Sequence, residues 1–138
     1  WVLILFNRSN QIAWSQKRFP KSSVSYIVAD LFSATIEWKA MLDIVPESYT
    51  LQVLPPGLRA KAVRGISAFV ASSGTLLVIA RGREPSDPGG KMPWTLTKEE
   101  MSLFETHGLK EVSLEDFIDN EDPPVRRFRL LMGLCEVD

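Results

Sequence analysis

"SGTLLVIARGRE" (73–84) contains the run on which the fold turns: Thr75 to Ala80 is β-branched and uniformly apolar, and it stops at Arg81. A strand apolar at consecutive positions is buried on both faces, as a central strand is when helices cover its sheet. Just upstream, Ser72-Ser73-Gly74 reads as a turn that ends a preceding helix, glycine accepting positive φ at little cost. Just downstream, "RGREPSDPGGK" (81–91) reads as a loop dense in glycine and proline.

Moving outward, apolar residues at 58, 62, 63, 66, 69 and 70 make one face of a helix, with Pro55-Pro56 at its entrance. "MLDIV" (41–45) is a strand that runs into the polar "ESYTLQ" (47–52), and "VSYIVA" (24–29) is another that stops at Asp30. Val2 to Phe6 is a third apolar run, followed by "QIAWSQKRF" (11–19), a short helix ended by Pro20. Residues 31–40 fit neither period, and Trp14 and Trp38 are expected in the core. On the other side, Thr97 with Glu100 forms a capping box that opens a helix through His107, stopped by Gly108. His107 then caps that helix through the dipole. "LKEVSLEDF" (109–117) and "VRRFRLLMG" (125–133) are two late strands whose short connection, "IDNEDPP" (118–124), makes them antiparallel. The order predicts an α/β chain: a mostly parallel, Rossmann-like sheet with a C-terminal antiparallel strand pair.

The chain has 138 residues, enough for one domain over 1–138 and too few for two. A net charge of −1 supplies no electrostatic reason to expect nucleic acid or a membrane surface. Lys17-Arg18 and Arg126-Arg127 are short basic groups on a solvated surface, Arg127 and Arg129 share a strand face, and Arg126, Arg127 and Arg129 are surface residues or protect an edge. The single cysteine, Cys135, forms no internal disulfide and has no CxxC partner, which fits a reducing, cytoplasmic setting. No His, Cys and carboxylate set has metal-ligand spacing. The opening "WVLILF" is too short for a secretory core, and it starts in mid-strand at Trp1, so an N-terminal part of a longer protein is expected to precede it.

In open parallel sheets ligands bind outside the carboxyl ends of the strands, here marked by Asn7, Asp30, the 47–52 cluster and Arg81-Gly82-Arg83. Together "VADLF" (28–32), "ESYTLQVLPPGLRAKA" (47–62), "SGTLLVIARGRE", "MPWTLTKEE" (92–100) and "EDPPVRRFR" (121–129) resemble the class I S-adenosylmethionine-dependent methyltransferases, in a bacterial, largely cyanobacterial branch akin to the thiopurine methyltransferases. The resemblance implies a seven-stranded sheet whose first strand and glycine-rich loop fall before residue 1, leaving a truncated domain that is inactive alone. It implies S-adenosyl-L-methionine as cofactor and a small-molecule methyl acceptor.

Residue by residue, the resemblance places Asn7, or Phe6 in its stead, at the ribose. Asp30 matches an acceptor for the adenine amino group, or it caps the turn that follows; Leu31 and Phe32 flank the ring. Glu47 and Tyr49 face the transferred methyl as the catalytic pair, with Glu47 also among the cofactor contacts. The Glu47 carboxylate either takes a proton from the nucleophile or holds the substrate. Thr50 and Gln52 orient that pair or satisfy backbone groups, and stand with Arg81, Arg83 and Trp94 as the substrate-binding set; Arg81 and Arg83 contact an anionic substrate or lie on the surface; Trp94 lines a lid or anchors its loop. Pro46 departs from the pattern, since proline removes a ladder donor next to Glu47. Two alternatives stand beside this: a degenerate, non-catalytic domain of the same fold serving as an interaction piece, and a nicotinamide-binding Rossmann domain.

Overall fold

The computed structural model describes residues 2–6, 9–33 and 36–134. They fall into two compact units, one up to residue 35 and one from residue 36. In the first, β1 (Val2–Phe6) pairs in parallel with β2 (Ser25–Ala29), Val2 opposite Ser25 and Phe6 opposite Ala29. Between them runs α1 (Ser9–Arg18), with Lys17 and Arg18 in its last turn, where cations meet the exposed carbonyls. Trp14 does not join the core as expected: it is 58% exposed, with the Arg18 guanidinium 5.0 Å from its ring centroid. The apolar residues of α1 are the consecutive Ile12, Ala13 and Trp14, which splay around the helix and make no stripe.

The second unit comprises β3 (Leu42–Ser48), α2 (Pro56–Ser67), β4 (Val70–Arg81), α3 (Lys98–Ser102), β5 (Leu109–Ile118) and β6 (Arg126–Leu134). Its sheet has the order β3-β4-β6-β5, with β3 parallel to β4, and β6 antiparallel to both β4 and β5. The two late strands pair antiparallel as expected. The last of them occupies an inner position, so Arg127 and Arg129 protect no edge. Arg127 is buried and ion-paired with Asp119 and Glu121, and Arg129 with Glu115.

Alternation along the strands decides where the core lies. Leu76, Val78 and Ala80 of β4 and Phe128 and Met132 of β6 are wholly buried, while Thr75, Leu77, Ile79 and Arg81 of β4 and Leu131 and Gly133 of β6 are partly open. The helix α2 supplies Ala62, Val63 and Ile66 to this core. Leu58, expected on that face, is 40% exposed, and Arg59 is buried in its place. The capping box forms: the Thr97 hydroxyl accepts from the Glu100 N–H at 3.2 Å and the Glu100 carboxylate from the Thr97 N–H at 2.9 Å. Gly108, at φ 85°, ends the 3-10 turn Leu103–His107 that continues α3.

Two local expectations change. Ser72-Ser73-Gly74 is no turn; α2 ends at Ser67, β4 has begun at Val70, and these residues sit inside the strand. The partners of Leu42 and Ile44 are Val70 and Thr75, so β4 carries three extra residues between them and bulges. A Cβ on Gly74 would come within 2.8 Å of the Leu42 carbonyl oxygen, which is why glycine stands at the bulge. Pro46 leaves the register unbroken, Val45, Pro46 and Glu47 facing Leu76, Leu77 and Val78. Among the described residues β3 is a terminal strand, where a missing N–H is tolerated.

Gly82 lies beneath the Phe128 ring, three of whose carbons would stand 2.5–2.7 Å from an added Cβ. Gly82→Ala is expected to lower unfolding stability by about 1–3 kcal/mol through overpacking. Gly57→Ala, with nothing within 4 Å on α2, is expected to raise it by about 0.5 kcal/mol. Urea denaturation of both variants checks the contrast.

Candidate functional site

The sheet of the second unit ends, at the carboxyl ends of β3 and β4, in the polar segments singled out from the sequence. Glu47 points to the buried face and is 4% exposed. Its Oε1 accepts the backbone N–H groups of Thr50 at 2.7 Å and Leu51 at 3.1 Å, capping the 3-10 turn Leu51–Val53. Burial pushes the Glu47 carboxyl up from its ordinary pKa, and these hydrogen bonds act in the opposite sense. The chain doubles back because Tyr49 adopts φ 66°, a left-handed conformation rare for a residue with a side chain. The ring of Tyr49 lies 5.6 Å from the Arg127 guanidinium carbon. Thr50 contributes its backbone N–H here.

Gln52 is 1% exposed and uses both ends of its amide. Its Oε1 accepts the Arg81 N–H at 2.9 Å and its Nε2 donates to the Trp94 carbonyl at 2.8 Å. The Trp94 N–H returns a bond to the Gln52 carbonyl at 2.8 Å. Trp94 is therefore the anchor of the 83–96 loop, half-buried, with the Arg59 guanidinium 5.9 Å from its ring. Arg83 binds that loop from within, donating to the carbonyls of Thr95, Glu84 and Asp87 at 3.2–3.3 Å. Arg81 stands at the end of β4, its Nε buried and without a partner among the described residues.

Sequence reasoning missed Arg59 and Glu100. Arg59 Nε donates to the Leu51 carbonyl at 3.2 Å and Nη1 to Glu100 Oε1 at 2.5 Å, while Arg83 Nη2 lies 3.5 Å from Glu100 Oε2. Glu100 was visible only as a capping residue. Nothing in the sequence marks Arg59, an arginine beside an apolar helix position.

In the first unit, Asp30 follows β2, and its Oδ1 accepts the Phe32 N–H at 2.9 Å in a tight turn. Leu31 is buried and Phe32 half-buried. Asn7 lies outside the described residues, as does Cys135. No helix is long and apolar enough to cross a membrane among the described residues.

No protein-family model matches the sequence, and no relative is found among curated proteins. Solved structures resemble it throughout. An S-adenosylmethionine-dependent methyltransferase from Methanosarcina mazei matches 98% of this chain and 83% of its own, at 10% identity and a TM-score of 0.78. The 1,6-didemethyltoxoflavin-N1-methyltransferase of Burkholderia thailandensis, solved with 1,6-didemethyltoxoflavin and S-adenosylhomocysteine, matches 98% of this chain at 11% identity and a TM-score of 0.75. The [4+2]-cyclase SpnF matches 96% of it at 12% identity and a TM-score of 0.72. The chain spans 61% and 64% of the latter two, less than two thirds of their length. At these identities the likeness establishes the fold, which is that of the class I S-adenosylmethionine-dependent methyltransferases.

Because folding raises the Glu47 pKa, folding favours the protonated carboxyl. That contribution is fully present below the unfolded pKa, near 4.5, and is lost as pH rises through the folded value. Glu47→Gln keeps an acceptor for Thr50 and Leu51 without the titration. Denaturation as a function of pH is expected to show wild type losing stability relative to this variant as pH rises above 4.5.

Proposed function

We propose that this chain is the greater part of a class I methyltransferase that transfers a methyl group from S-adenosyl-L-methionine to a small molecule, in the branch akin to the thiopurine methyltransferases. The observation that carries the proposal is the polar cluster Glu47, Tyr49, Thr50, Gln52 and Arg81 at the carboxyl ends of β3 and β4 in the second unit, in a fold of this type. The S-adenosylhomocysteine and small acceptor bound by the toxoflavin enzyme support both the donor and the acceptor class.

The described residues suit the roles. Asp30 has Oδ1 engaged with the Phe32 N–H, and Oδ2 accepts from no described residue, which leaves it for the adenine amino group. Leu31 and Phe32 flank the ring, and Asn7 is assigned to the ribose. Bound S-adenosylmethionine supplies an already activated methyl group, so the chain's part is alignment and exclusion of water. Glu47 and Tyr49 stand at the reacting end: a buried carboxyl with a raised pKa is a suitable proton acceptor, and Tyr49 is held in a fixed, strained turn. Thr50, Gln52, Arg83 and Trp94 position the acceptor lip through the bonds described above.

The outer edge of β3 carries no strand among the described residues, and β1 is likewise paired on one side only. In this proposal a further parallel strand and its glycine-rich loop complete a single cytoplasmic domain, and the 138 residues alone are inactive. One observation favours a second assignment. Glu47 serves as a cap inside the core, as it would in a degenerate domain acting as an interaction piece.

Calorimetric titration with S-adenosylhomocysteine separates the two. This chain is expected to give no measurable binding, whereas a form carrying an upstream strand and glycine-rich loop from the same gene binds with one site. Absence of binding by the extended form overturns the methyltransferase assignment and leaves the interaction piece.

A further inference from the structure

Arg59 Nη2 and Arg81 Nε are both buried without a partner among the described residues, but Arg81 differs from the arginines around it in having no carboxylate. Arg59 and Arg83 share Glu100, Arg126 holds Asp116 and Glu84, Arg127 holds Asp119 and Glu121, and Arg129 holds Glu115. Among the described residues no carboxylate pairs with Arg81, and its side chain donates no hydrogen bond to any of them; its Nε is buried and unpartnered. An orphaned buried donor of a charged group costs a substantial fraction of a protein's net stability, so its retention at a strand end calls for a ligand.

The position is also built. The Arg81 backbone N–H is fixed by the buried Gln52 amide. Arg81 lies directly across the β4–β6 ladder from Arg127, so both side chains leave the same face of the sheet. Tyr49 follows β3, on the far side of β4 from β6, yet its ring reaches to 5.6 Å from Arg127. It spans β4 at about the level of Arg81, since Ser48 pairs with Ile79. The charge of Arg127 is already answered by Asp119 and Glu121, and that of Arg81 is not.

We infer that Arg81 anchors a carboxylate of the ligand, with the Tyr49 ring and Arg127 as the walls of its subsite. Calling that ligand the methyl acceptor rests on the methyltransferase assignment; the subsite itself does not. A planar guanidinium with free terminal nitrogens matches a carboxylate in shape and in single charge. A phosphate dianion fits less well, because Asp119 and Glu121 hold two negative charges on the neighbouring arginine.

The test uses the full chain and three probes: benzoate, its neutral isostere benzamide, and inorganic phosphate. Each is titrated by NMR in a carboxylate-free buffer of low ionic strength, following the Arg81 Nε–H and Tyr49 ring resonances. Benzoate is expected to shift both and saturate. Benzamide and phosphate are expected to bind about tenfold or more weakly, as loss of a charged hydrogen-bonded pair implies. Arg81→Gln is expected to weaken benzoate by a similar factor, and Arg129→Gln to leave it unchanged. Benzamide or phosphate matching benzoate overturns the inference, and so does benzoate binding that survives Arg81→Gln. The comparison of probes on the unsubstituted chain decides the matter even if the variant does not fold. None of these titrations contains S-adenosylhomocysteine, so failure here leaves the methyltransferase assignment standing, and failure of cofactor binding leaves the carboxylate subsite standing.

Discussion

The side-chain amide of Gln52 ties together three segments that are distant in sequence. Its two ends reach the last residue of β4 and the Trp94 carbonyl, and its own backbone carbonyl receives the Trp94 N–H. A fully buried amide has to satisfy both its donor and its acceptor, so any arrangement that loses one of these partners leaves a polar group stranded. The end of β4, the turn after β3 and the long loop therefore hold their places together. Arg59 extends the same constraint to α2, because it bonds the Leu51 carbonyl, approaches the Trp94 ring and meets Glu100 at the start of α3.

This coupling explains how the 83–96 loop can be rich in glycine and proline and still be ordered. Arg83 spends its guanidinium on three loop carbonyls, so the loop's backbone is satisfied from inside. Arg126 plays a comparable part at the same end of the sheet, where it pairs with Glu84 and Asp116. Hydrogen bonds from Arg126 and then Lys98 hold the Asp116 carboxyl well below the usual carboxylate range. Cations and acids thus alternate along the strand ends as paired neighbours, against which the isolation of Arg81 stands out.

What the sequence disclosed was what local physics settles. The uniformly apolar "TLLVIA" had to be an inner strand, the Thr97 and Glu100 spacing had to cap a helix, and the short "IDNEDPP" link had to join antiparallel strands. What stayed hidden depends on partners far along the chain. Ser72-Ser73-Gly74 has the composition of a turn and becomes a bulge because Leu42 and Ile44 pair across it. Arg127 looked like surface charge because nothing local shows that β6 is flanked on both sides. At the candidate site, the polar residues were found but their directions were not. Glu47 turns inward to cap the next turn, a consequence of the left-handed conformation at Tyr49 that a tyrosine does not advertise.

The inner position of β6 also bears on how the molecule is assembled during synthesis. Residues 126–134 emerge after every other strand of the sheet, yet both β4 and β5 complete their ladders only against them. Until they arrive, β4 has one open side, and β5 has no strand neighbour at all among the described residues. The β5-β6 hairpin joins β4 through β6, a pairing that spans a separation of about fifty residues. A ribosome-bound chain stopped before Arg126 should therefore be a client for factors that shield exposed strand edges, and the arrival of residues 126–134 should be what completes both ladders.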